Sequence, residues 1–135
     1  MSAKQPEFRA AFFTRHYDQS VSFYRDGLEL PVLESWDRGE GDRGIMFAAA
    51  SGVIEVLGPP TPESAVAPWD QRSPQGVMFV IEVPNVTEAY HRARGKGLPV
   101  TTDLTDHPWG HRSFCVTDPD GLTLYLFEAI QHAEE

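Results

Sequence analysis

The sequence predicts an α+β fold built from a duplicated strand–helix–strand–strand–strand unit. Three observations carry that prediction. Only two stretches show helical periodicity, eight short runs read as strands, and the same element order occurs in both halves of the 135 residues. Landmarks repeat as well: each helix runs into Gly-Leu, at 27/28 and 97/98, and Pro-Val follows at 31/32 and 99/100.

The first strand is expected at about 8–14. From Tyr17 to Leu28 the apolar positions 17, 21, 24 and 28 fall on one helical face, with Asp18 able to cap the start and Gly27 the end. Strands follow at about 31–36, 44–49 and 52–58, and the second half opens with a strand at 76–83. Its helix, about Val86 to Lys96, puts Val86, Tyr90 and Ala93 on one stripe. Asn85 caps it, with Glu88 placed to reach back, and Gly97 ends it. Strands at 99–102, 111–117 and 122–128 complete the chain.

Between the last two strands, in "FCVTDPDGLTLYLFE", Asp118-Pro119-Asp120-Gly121 supplies turn-forming side chains, a preset φ and a residue that accepts positive φ. In the final strand Leu122, Leu124 and Leu126 share one face and Thr123, Tyr125 and Phe127 the other. The Leu face is core. What Tyr125 faces, whether packed interior, metal or ligand, stays open from the pattern alone.

The stretch 59–74, "PPTPESAVAPWDQRSP", holds five of the chain's eleven prolines and reads as an extended connector. It divides one domain into module 1 (about 8–58) and module 2 (about 76–128), with 59–75 between them. Neither half is large enough to bury both faces of a sheet by itself.

A net charge of −9 argues against binding a phosphate backbone, and nucleic acid is not an expected partner. No apolar stretch approaches the roughly 20 residues that cross a bilayer, and no signal-peptide core opens the chain, so a cytoplasmic protein is expected. Cys115 is the only cysteine; in an apolar strand it reads as a small buried hydrophobe. No Ser-His-Asp order, P-loop, dinucleotide fingerprint or paired-cysteine site is present, and no cofactor is expected.

"SFYRDGLEL", "VIEVLG", "VPNVTEAYHRARGKGLPV" and "VTDPDGLTLYLFE" occur in the order, and at the separations, of the vicinal oxygen chelate superfamily, which the chain resembles over about residues 8–128. That superfamily includes glyoxalase I, extradiol dioxygenases, fosfomycin-modifying enzymes and bleomycin-resistance proteins. The resemblance implies paired βαβββ modules forming curved mixed sheets around a cleft, and commonly a homodimer. It also implies that the positions supplying metal ligands in the metal enzymes are here Arg9, Glu55, Met78 and Tyr125. Only Glu55 has the usual chemistry: a guanidinium repels a cation, a thioether is soft, and a phenol mostly keeps its proton at neutral pH. No metal is expected, and Arg9 and Glu55 are expected to pair in its place.

The five histidines do not replace that set. Pro108 and Gly110 break the spacing of His107 and His111, and His16, His91 and His132 read as capping or solvent-facing. "DHPWGHRSF", 106–114, resembles the Trp-Gly segment that borders the ligand groove in bleomycin-resistance-like members. Trp109 and His111 are therefore candidate ligand contacts. Trp36, Phe47 and Trp69 are candidate flat walls, with sheet packing the competing role for the first two and anchoring of the connector for the third.

Three readings follow. The first is a metal-free protein that binds or sequesters a small aromatic or cationic molecule, using Arg9, Trp36, Phe47, Glu55, Met78, Trp109, His111 and Tyr125. The second is a lyase, isomerase or dioxygenase with Glu55 as its catalytic carboxylate. The third is an interaction module with no ligand of its own.

Overall fold

The computed structural model describes residues 6–59, 72 and 74–131. Trp69, His132 and most of the connector lie outside the described residues. Two four-stranded mixed sheets are formed, neither closed into a barrel, with the order β1-β4-β3-β2 in the first and β5-β8-β7-β6 in the second. The strands are β1 Arg9–Phe13, β2 Val32–Asp37, β3 Arg43–Ala49, β4 Gly52–Leu57, β5 Met78–Glu82, β6 Val100–Asp106, β7 His111–Thr117 and β8 Thr123–Ala129. In each sheet the first strand pairs parallel with the last, β1 with β4 and β5 with β8, and the other pairs are antiparallel.

Alternation assigns the faces. Ile45, Phe47, Ile54 and Val56 from the first sheet and Ile81, Phe114, Val116, Leu124 and Leu126 from the second join Phe23, Tyr24, Val86 and Ala93 of the helices in one core. Phe12 and Phe79, 6.5 Å apart between ring centres, carry that core from β1 to β5. The Leu face of β8 is core, as its pattern predicts.

The first helix differs from its expected form. α1 runs Tyr17–Val21 and continues as a π-helical turn through Ser22–Gly27, where Leu28 N–H donates to Phe23 O, five residues back. His16 occupies the cap position and Asp18 lies in the first turn, so Asp18 is not the cap. Nor is Gly27 needed for positive φ, which Glu29 adopts instead. A Cβ on Gly27 would come within 2.9 Å of Leu98 Cδ2, so the glycine lets the Leu98 side chain of module 2 pack closely against this turn. In α2, Val86–Gly95, the Asn85 side chain accepts from Glu88 N–H at 3.0 Å as expected, while the Glu88 carboxylate pairs with Arg92.

β6 extends four residues past its expected end at 102. Its register slips between Val100 and Thr102 and again between Thr102 and Thr105. Two irregularities in a polar edge strand erase the period-2 pattern from which a strand is read.

The modules are tied by one buried polar cluster. Tyr24 O–H, from the π-helical turn, donates to Asp118 Oδ2 at 2.7 Å, and Asp118 Oδ1 accepts from the backbone N–H of Asp120 and Leu122 at 2.9 and 2.8 Å. Burial raises the pKa of both groups; Asp118 pushes the Tyr24 phenol further up, whereas the hydrogen bond from Tyr24 partly offsets the rise at Asp118 by favouring its carboxylate.

Candidate functional site

The faces opposite the core carry the chemistry. On the first sheet the registers Ala11↔Glu55, Met46↔Glu55 and Trp36↔Gly44 place Arg9, Glu34, Trp36, Met46 and Glu55 on that outer face. Arg9 Nη1 donates to Glu55 Oε1 at 3.4 Å, while its Nε and Nη2 donate to Glu7, the Nε bond at 2.7 Å. The charge pair expected between Arg9 and Glu55 is therefore formed, and Glu7 holds the guanidinium more closely than Glu55 does. Trp36 lies over Gly44, whose missing Cβ leaves room for the indole, and Arg38 approaches its ring at 5.6 Å.

On the second sheet, pairing of Cys115 with Tyr125, Ser113 with Phe127 and Met78 with Thr123 defines the corresponding face. Its rings form two stacks flanking one phenol. His107 lies parallel to Trp109, with centres 4.4 Å apart and planes at 8°, and His111 lies on Phe127 at 3.9 Å and 16°. Tyr125 sits between them, 6.4 Å from His107 and 6.0 Å from His111. His111 Nδ1 and Tyr125 O–H are 3.1 Å apart, and His107 Nε2 and Ser113 Oγ are 2.8 Å apart.

The tight turn 107–110 builds this arrangement. His107 N–H donates to His111 O at 2.7 Å and Gly110 N–H to His107 O at 3.1 Å, and Gly110 takes φ 93°. Pro108 and Gly110 thus exclude a helix, as the sequence indicates, yet fold the chain back so that both imidazoles reach one sheet face.

Trp109 is 63% exposed, Val80 53% and Met78 52%, so this face is open and its side chains do not fill it. Phe47 is placed elsewhere. It is fully buried on the core side, 5.9 Å from Tyr24, because its alternation in β3 is that of Ile45 and not of Met46; it does not line the outer face. Cys115 is also displaced from its expected place. It alternates with core residues Phe114 and Val116 and lies half-buried on the Tyr125 face.

Burial pushes the Cys115 thiol up, with a hydrogen bond involving Thr102 opposing the shift. Alkylation of the native protein by iodoacetamide is expected to be slower at neutral pH than that of a free cysteine, and to accelerate at higher pH than an ordinary thiol. Rapid labelling at neutral pH would contradict this environment.

The metal-ligand positions implied by the fold do not suit a divalent cation here. Arg9 brings a positive charge into contact with Glu55, the one carboxylate of the set, and Met78 and Tyr125 supply a thioether and a phenol. Among the described residues no group of three His, Cys, Asp or Glu side chains is placed to hold a metal ion. A cavity of about 850 Å³ opens between the first helix and module 2, lined by Phe23, Asp26, Lys96, Leu98 and Asp118 among others. No helix among the described residues is long and apolar enough to cross a membrane.

Residues 8–126 match the family described as the Glyoxalase/Bleomycin resistance protein/Dioxygenase superfamily. The chain belongs to this superfamily. No curated protein matches it in sequence. Among solved structures it is similar to TioX from Micromonospora sp. ML1, with TM-score 0.76 and 17% identity over 93% of this chain and 100% of that one. It is also similar to TnmS3, an antibiotic binding protein from Streptomyces sp. CB03234, with TM-score 0.69 and 17% identity over 96% and 99% of the two chains. A third is a lactoylglutathione lyase from Agrobacterium tumefaciens, with TM-score 0.68 and 19% identity over 93% and 95%. At these identities the superfamily members share the fold with this chain, and activity has to be argued from its own side chains.

Proposed function

We propose that this protein binds a small aromatic molecule without a metal, on the outer face of the second sheet. The observation that carries the reading is the pair of ring stacks, Trp109 on His107 and His111 on Phe127, flanking Tyr125 on an open face. Stacked rings held by a strand and a tight turn lose little freedom on binding, and a flat ligand gains about 0.5–1.5 kcal/mol per aromatic contact beyond its area burial. Similarity to an antibiotic-binding protein supports capture as the role. Arg9, Glu55, Trp36 and Met78 are the further contacts we propose, in a cleft completed within a homodimer, in a reducing cytoplasmic setting suited to the single Cys115.

The test compares 2-naphthalenemethanol with its saturated counterpart, decahydro-2-naphthalenemethanol, by isothermal titration calorimetry. The aromatic alcohol is expected to bind several-fold more tightly, as stacking contacts of that size require. Equal affinity, or no binding of either, would contradict an aromatic platform.

The second reading is a lyase, isomerase or dioxygenase using Glu55, which similarity to a lactoylglutathione lyase supports. Against it, the Arg9 guanidinium already engages the carboxylate that a base would need free.

A further inference from the structure

We infer that the ligand of this face carries an anionic oxygen group, read by His107 and His111 as paired N–H donors on either side of Tyr125. The inference rests on the aromatic-binding reading above and adds the charge of the ligand to it.

Each imidazole has one ring nitrogen engaged inward, His107 Nε2 with Ser113 Oγ and His111 Nδ1 with Tyr125 O–H. The opposite nitrogens, His107 Nδ1 and His111 Nε2, have no hydrogen-bond partner among the described residues. Proton placement follows from the hydroxyls. Ser113 is 1% exposed, so if its oxygen only accepted from His107, its own O–H would be left buried without an acceptor. Ser113 therefore donates to Nε2, which leaves the proton of neutral His107 on Nδ1. The Tyr125 phenol is likewise the better donor toward His111 Nδ1, which leaves N–H on Nε2.

Both free nitrogens are thus donors. Two carboxylates lie nearby, and neither has a hydrogen bond to these imidazoles: Asp106, next to His107 in sequence, accepts two hydrogen bonds from Arg112, and Glu82 lies opposite Phe127 at the exposed end of β5. Two imidazole donors set among flat rings match a planar aromatic bearing a carboxylate or an enolate-like oxygen. Charge-assisted bonds of this kind are shorter and roughly twice as strong as neutral ones. The outer face of the first sheet differs: Glu7 and Glu55 share the single guanidinium of Arg9, and Glu34 lies on the same face, so an excess of negative charge remains there.

The net charge of −9 makes the inference sharply testable, because the field of the whole molecule favours cations. Three matched probes are titrated calorimetrically at physiological salt, which screens long-range charge: 2-naphthoate, 2-naphthalenemethanol and 2-naphthylmethylammonium. The order expected is naphthoate tightest and the ammonium weakest, with roughly tenfold or more between them.

In the double variant His107→Phe/His111→Phe aromatic rings remain and the nitrogens go, so the ratio of naphthoate to alcohol affinity should fall to within about twofold, whatever the change in the alcohol's own affinity. An ammonium preference, or equal binding of all three by wild type, overturns the charge assignment while leaving the aromatic platform standing. That comparison needs no variant to fold. A naphthoate preference surviving in a folded double variant overturns the assignment to these histidines. Binding of none of the three overturns both readings.

Discussion

Asp118→Ala is expected to destabilise the fold by about 3 kcal/mol or more, since it removes three hydrogen bonds at one buried carboxylate and strands the Tyr24 hydroxyl. Tyr24→Phe removes only the cross-module bond and should cost about 1–3 kcal/mol. Denaturant titration reads both. A loss under 1 kcal/mol in Asp118→Ala would show that the turn and the helix are held by something other than this carboxylate.

Asp118→Asn isolates its charge. Because burial raises the carboxyl's pKa, the folded state takes up the proton before the unfolded state does as pH falls. Asp118's contribution is therefore fully present below its unfolded value and is lost as pH rises through the raised folded value. Relative to the Asn variant, wild type should gain stability over that interval on acidification. The carboxylates of Asp26, Glu29 and Asp106, held low chiefly by hydrogen bonds from Arg25, Lys96 and Arg112, work in the opposite direction in both proteins and cancel in the difference.

Tyr125→Ala is the second large effect. The phenol is the ring between the two stacks and the partner of His111, so its removal opens the platform at its middle and frees His111 Nδ1. Aromatic-probe affinity should fall tenfold or more, while stability changes little, because Tyr125 points away from the core. Unchanged affinity would place the ligand elsewhere.

Much of this architecture is legible in the residues. Alternation in β8 separates the Leu core from Tyr125, Asn85 announces the start of α2, and Asp-Pro-Asp-Gly forms the turn its side chains suggest. What is not legible depends on tertiary registration. The π-helical turn shares its apolar spacing with an ordinary helix, and the bulges that carry β6 to Asp106 erase the alternation that would reveal it.

The site follows the same division. Trp109, His111 and Tyr125 are named as candidate contacts by the sequence, whereas His107 and Phe127 join that face only once the turn and the β7–β8 register bring their rings together. The sequence signal for His107 is its spacing from His111 across Pro108 and Gly110, which argues against a helical metal pair and says nothing by itself about stacking. Phe47 shows the converse: its aromatic character suggests a wall, and one residue of alternation sends it into the core.

The most direct test is a crystal structure with 2-naphthalenemethanol bound. Density for the naphthalene ring is predicted on the outer face of the second sheet, against Tyr125 and the stacked rings of Trp109 and His111. Density instead in the 850 Å³ cavity between the first helix and module 2, with that face bare, would contradict the account.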